Sequence, residues 1–140
     1  MFSKKKQPPI KSLIAQGTRI DGNLQFNDGL RIDGEVFGDI RAIDDGASIL
    51  VISESATVTG AVYADHVIIN GRVTGPVHAS ELLELQPKAR IDGDVSYKAI
   101  EMHQGAHIFG QLRPTAYQEI VPPSTLALPR EVAKKLIDKA

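Results

Sequence analysis

Hydrophobic and polar residues alternate along the first half of the chain with a period of two. From Ile20 to Ile40 the even positions read I, G, L, F, D, L, I, G, V, G, I, and only Asp28 is polar. The odd positions from Asp21 to Arg41 read D, N, Q, N, G, R, D, E, F, D, R. A period of two marks β-structure with one face buried, but this run exceeds the 3–10 residues of an ordinary strand. It predicts consecutive short strands joined by bends that preserve the alternation. Near residue 66 the phase shifts, and Val67, Ile69, Gly71, Val73, Gly75, Val77 and Ala79 now fall on odd numbers. One extra residue at a corner accounts for the shift.

A five-residue pattern, aliphatic-x-Gly-x-aliphatic, repeats through the same region. It occurs at Ile20-x-Gly22-x-Leu24, Ile32-x-Gly34-x-Val36, Val36-x-Gly38-x-Ile40 and Val58-x-Gly60-x-Val62. It returns at Ile69-x-Gly71-x-Val73, Val73-x-Gly75-x-Val77, Ile91-x-Gly93-x-Val95 and Ile108-x-Gly110-x-Leu112, so 8 of the 12 glycines belong to it. Gly22 to Gly38 is 16 residues, Gly75 to Gly93 is 18 and Gly93 to Gly110 is 17. Gly38 to Gly75 is 37, two turns that include an irregular stretch near Ile43 to Ala56. A coil of three short strands has this length per turn. The chain therefore predicts an all-β fold, a single-stranded parallel β-helix (β-solenoid) of about six turns of 17–18 residues, each turn too small to bury its aliphatic residues alone.

Composition sharpens this picture. Aromatics are 5% and tryptophan is absent, so Val, Ile, Leu and Ala must build the core. Cysteine is absent too, which removes disulfides, thiolate metal sites and cysteine nucleophiles. No apolar run approaches the roughly 18 residues of a transmembrane helix. No apolar stretch follows the basic N-terminus as a signal peptide requires, and a cytoplasmic protein is the default expectation.

Charge divides the chain in three. Residues 1–19 carry +5, from Lys4, Lys5, Lys6, Lys11 and Arg19. Residues 20–113 hold 7 basic and 14 acidic side chains, −7, and the last 27 residues carry +1. An acidic body argues against nucleic acid as a partner. Proline draws similar boundaries, with Pro8-Pro9 on one side and Pro114, Pro122, Pro123 and Pro129 on the other. The expected organisation is a flexible basic tail over 1–17, a β-helix core over 18–113 and a Pro-rich tail over 114–140. Within the tails, Ile10, Leu13 and Ile14 form a short apolar segment able to lie on the first turn. A short helix is expected over 130–139, where Val132, Ala133, Leu136 and Ile137 make an apolar stripe after Pro129.

A solenoid has two ends with unpaired backbone and open core, and such edges template further strands. The candidate end contacts are Ile20 and Leu24 on the first turn and Ile108, Phe109 and Leu112 on the last. End-to-end self-association is one expectation; tails folded back as caps are the other. For the N-terminus, Met1 and Phe2 could insert into a membrane while Lys4, Lys5 and Lys6 meet anionic headgroups, against a plain solvated start.

Four histidines open a second functional class. His66 and His103 lie 37 residues apart, close to two turns, and His107 follows on the same parity. A trimeric β-helix enzyme of the acyltransferase or carbonic-anhydrase-like type would use such histidines. However, zinc needs converging ligands, and these histidines sit among polar outward positions. Paired acids such as Asp44-Asp45 and Asp92/Asp94 lack a ligand-dense loop. There is no phosphate-binding G-x-x-x-x-G-K-[ST] and no G-x-S-x-G. The residues give no catalytic, metal or cofactor site, and the two classes separate on assembly, a closed trimer against an unbounded stack.

The run from Thr18 to Leu112, with its doublets at Gly34/Gly38 and Gly71/Gly75, resembles the bactofilins. The opening Met1-Phe2-Ser3-Lys4 is similar to the short membrane-targeting segment of many of them. The resemblance implies a right-handed triangular β-helix that polymerises without nucleotide into non-polar filaments. Those filaments would lie on the inner face of the cell membrane, peripheral and cytoplasmic, as scaffolds for cell shape or for placing cell-wall or polar proteins. The implied partners are the chain itself, membrane lipids, and cell-wall enzymes or polarity proteins met through the tails.

Overall fold

In the computed structural model the described residues are 9–43 and 47–115. The expected helix over 130–139 and residues Met1 to Lys6 lie outside them. Strand β1 (Ile10–Ile14) leads into a first turn of β2 (Arg19–Asp21), β3 (Leu24–Phe26) and β4 (Gly29–Ile32). The second turn is β5 (Glu35–Phe37), β6 (Ile40–Ala42) and β7 (Ile49–Ile52). In the next three turns one long strand covers two sides: β8 (Thr57–Thr59) with β9 (Val62–Ile69), β10 (Arg72–Thr74) with β11 (Val77–Leu85), and β12 (Arg90–Asp92) with β13 (Val95–Met102). A sixth turn begins with β14 (His107–Phe109) and β15 (Leu112–Pro114). All pairings are parallel and join one turn to the next, which makes the fold a β-solenoid of about six turns.

The first side is a six-stranded sheet in the order β2, β5, β8, β10, β12, β14. The other two sides share a nine-stranded sheet, because β9, β11 and β13 continue around the corner between them. On the first side Ile20, Val36, Val58, Val73, Ile91 and Ile108 are register partners and point inward. On the third side Ile32, Ile52, Ile69 and Leu85 do the same and are fully buried. Stacking like on like favours β-branched side chains, and no single turn could bury its own.

The stretch near Ile43 to Ala56, irregular in sequence, contains β7, with Leu50 and Ile52 in the core. Its alternation is masked because outward-facing Ile49 is also buried. The phase shift near residue 66 falls at Asp65 and His66, where β9 turns between two sides. One turn later β11 carries an extra residue there, and its register with both neighbours slips between Ala79 and Leu82. β1 starts at Ile10, inside the segment expected as tail, and pairs with β4.

The motif glycines sort into two corners. Gly22, Gly38, Gly60, Gly75, Gly93 and Gly110 form one column. A Cβ on any of the last five would fall on the carbonyl oxygen of the glycine one turn before. Gly60 has φ 149°, a region L-residues rarely adopt, so conformation and close approach both select glycine there. Gly34 and Gly71 serve a second corner, where a Cβ would meet the carbonyl oxygens of the four-residue turn below, Ala15 and Thr18 or Ser53 and Ala56. The glycine corner is shorter than the four-residue turns closed by Thr18 N to Ala15 O and Ala56 N to Ser53 O at 3.0 Å each. This alternation makes the turn lengths uneven.

Side chains tie the corners axially. Asp39 N donates to Asn23 Oδ1 at 2.9 Å, and Ala61 N donates to Asp39 Oδ1 at 2.9 Å. On the opposite edge Asp65 accepts from the backbone and hydroxyl of buried Ser48 and from the Ser80 hydroxyl. Gly60→Ala should therefore lose more stability in urea unfolding than Gly22→Ala. Both residues have positive φ, which costs alanine roughly 1–3 kcal/mol, but nothing lies within 4 Å of a Cβ on Gly22. Equal losses would show that the close approach is not the constraint.

Candidate functional site

The two ends of the solenoid differ from its middle. At the first end β1 pairs only with β4, β2 only with β5 and β3 only with β6. At the other, β14 pairs only with β12, and β15 only with β13. The outer edges of these strands have no sheet partner among the described residues. Core burial falls off in parallel. Val36, Ile40, Ile91 and Val95 are 0% exposed, whereas Ile20, Leu24 and Ile108 are half-buried and Leu112 is 46% exposed.

Ile20 and Leu24 therefore lie at one end, and Ile108 and Leu112 at the other. Phe109 belongs to the last turn but points out of the first side. The Arg90 guanidinium stands 5.2 Å from its ring centre, and His107 stacks alongside at 6.1 Å. Its ring is 52% exposed and flanks the end surface. Phe37 carries Arg19 in the same way at 4.3 Å near the first end. Sequence reasoning missed Ile100 and Met102, which continue the inward rows of Leu83 and Leu85 to the fifth turn, the last described on the third side. Met102 is 48% exposed, and its 17-residue spacing from Leu85, one period, was the available signal.

The last turn is anchored by Asp94. Its Oδ1 accepts the Gln111 backbone N–H at 2.9 Å, and Arg113 reaches Oδ2 at 3.4 Å. The Gln111 amide chiefly, with Arg113, holds the carboxyl below its ordinary pKa. Asp92, which the sequence pairs with it, stands on β12 before the glycine corner and does not share this role.

The histidines do not converge as one site. His66 and His103 approach the two oxygens of Glu84 on the third side, at 3.9 and 3.8 Å. His107 is on the first side against Phe109, and His78 packs on Tyr63 on the second. Burial pushes the His66 pKa down, against the opposing pull of Glu84 and Glu101. A catalytic trio of His66, His103 and His107 is therefore not assembled within the chain. Met1, Phe2, Lys4, Lys5 and Lys6 lie outside the described residues. Lys11, on β1, pairs with Asp28 at 2.8 Å. No helix among the described residues is long and apolar enough to cross a membrane.

The family model for bactofilin, described as polymer-forming cytoskeletal, matches residues 12–113. Bactofilin BacO of Myxococcus xanthus (strain DK1622) is 29% identical over 111 residues, covering 79% of this chain and 85% of the relative. Bactofilin BacP of the same organism is 25% identical over 101 residues, covering 72% of this chain but only 40% of the relative. No solved structure matches the chain.

The anchoring of the last turn should depend on pH with a definite sign. Because the folded-state pKa of Asp94 is lowered, its contribution is fully present above the unfolded value of about 3.9. It is lost as pH falls through the folded value. The protection factor of the Gln111 amide against hydrogen exchange should fall over that acidic range in the wild type, and in Asp94→Ala it should be low throughout. An unchanged Gln111 amide in the variant would remove Asp94 as the anchor.

Proposed function

The chain belongs to the bactofilin family of polymer-forming cytoskeletal proteins, and from that premise we propose that its copies stack end to end into filaments through the open ends of the solenoid, without nucleotide. The observation that carries this reading is the aliphatic core that runs half-exposed to both ends, beneath strand edges with no partner among the described residues. Ile20 and Leu24 would meet one neighbour, and Ile108, Phe109 and Leu112 the other. Fully burying one Leu or Ile contributes about 1.5–3 kcal/mol, and the edge strands add backbone pairing. Isologous contacts at both ends would alternate subunit direction along the filament, and a heterologous contact would preserve it; both arrangements are unbounded.

The same proposal extends to a tether. Each basic residue near an anionic leaflet contributes about 1 kcal/mol, so Lys4, Lys5 and Lys6 with Met1 and Phe2 would bind marginally in one copy. A filament presents many such segments at once, and avidity turns marginal binding into stable attachment. The filament would then serve on the cytoplasmic face of the membrane as a scaffold for cell shape, or for placing cell-wall or polar proteins. The enzyme alternative loses support because His107 stands on the first side, apart from His66 and His103 on the third.

Two experiments test the proposal. Leu112→Asp and Phe109→Arg should each keep the β circular-dichroism signal and lose fast-sedimenting assemblies, while Thr74→Asp, on the side of the middle, should keep both. Assembly of the Leu112→Asp chain at wild-type level would contradict end contact. In liposome co-sedimentation with anionic vesicles, full-length protein should pellet and a chain lacking residues 1–8 should stay in solution. Equal pelleting of the two would remove the tether.

A further inference from the structure

The third side of the solenoid carries a group of side chains that neither filament ends nor tails explain. Glu84 on β11 and Glu101 on β13 are register partners, stacked on adjacent strands about 4.8 Å apart. Like charges directly opposite one another across strands are destabilising. His103 follows β13 and is fixed by its backbone N–H, which donates to Leu85 O at 2.9 Å. One ligand atom from each of Glu84, Glu101 and His103 lies within 4.8 Å of the others.

We propose that Glu84, Glu101 and His103 form a binding site for a divalent transition metal, with Zn2+ the best fit, that bolts the fourth turn to the fifth. Two carboxylates and an imidazole are a zinc-type donor set, and three protein ligands leave a fourth position to water. Ligands about 2.0–2.2 Å from a tetrahedral zinc stand roughly 3.3–3.6 Å apart. His103 Nε2 and Glu84 Oε2 are 3.8 Å apart and all three ligand atoms lie within 4.8 Å of one another, so side-chain rotations on the order of an ångström would bring them to that spacing. The ion would also neutralise the stacked Glu84–Glu101 pair.

Neighbouring groups orient the central ligand, as outer partners commonly do at metal sites. Gln86 Nε2 donates to Glu84 Oε2 at 2.6 Å, and His66 Nε2 stands 3.9 Å from Oε1. The backbone of all three ligands is held: Glu84 is paired with β9 and β13, Glu101 is paired with β11, and His103 is fixed by its bond to Leu85 O. No further segment is needed to assemble the site.

The test uses full-length protein stripped with a chelator and dialysed free of it, titrated with Zn2+ in a calorimeter. Wild type should bind one ion per chain and melt at a higher temperature with zinc than without. Glu84→Gln and His103→Ala should each weaken binding by at least about 10-fold and lose the shift in melting temperature. Both positions are on the surface, and circular dichroism checks that the variants fold. His107→Ala, on another side, should bind as wild type does. Absence of stoichiometric binding in the wild type would overturn the proposal, and so would binding that survives both ligand variants or fails in His107→Ala. Zinc stoichiometry and melting are read per chain, so the result stands whether or not filaments form, although Glu101 lies between Ile100 and Met102 on the open edge of β13.

Discussion

The separation of successive turns is the constraint from which the rest follows. Parallel backbones hydrogen-bond at about 4.8 Å, and each residue paired in the ladder has a counterpart one turn away at that distance. At a sharp corner this leaves no room for a side chain that turns back along the axis. The column from Gly22 to Gly110 satisfies it by removing Cβ atoms where one carbonyl meets the next corner. The inward residues satisfy the same spacing differently: Val36, Val58, Val73 and Ile91 stack at van der Waals distance and seal the axis from water. Asn23, Asp39 and Asp94 use it a third way, since a short polar side chain spans one layer to the next amide.

A coil made this way has no internal reason to stop. The first and last turns are built from the same inward aliphatics as the middle, and only the missing neighbour distinguishes them. The function proposed here needs no device beyond the fold, because the interaction that holds one turn to the next also holds one molecule to another. The sides, by contrast, are free to carry charge, and the stacked register places like residues together. Glu84 over Glu101 is one such pairing.

Much of this was legible in the sequence, because a period of two and a period near 17 survive any change of outward residue. Ile20, Leu24, Ile108 and Leu112 were placed at the ends by that arithmetic alone. Glycine spacing was less faithful, since Gly34 and Gly71 share the motif but occupy another corner. β7 was hidden because Ile49 and Val51 face outward yet are apolar. β1 was legible as an apolar segment on the first turn, Ile10, Leu13 and Ile14, but not as a strand, because lysine and proline stand around it. The grouping of Glu84, Glu101 and His103 was not legible at all, because it depends on where β11 takes its extra residue. One slip in that count would separate the two carboxylates.

The most direct measurement is imaging of purified full-length protein by electron microscopy, with chelator present and no nucleotide. Smooth unbranched filaments with a layer spacing of about 4.8 Å along the axis, and a subunit repeat near a multiple of roughly 29 Å for six turns, are the predicted result. Uniform small particles, or filaments whose strands run along the axis and not across it, would contradict assembly through the open ends.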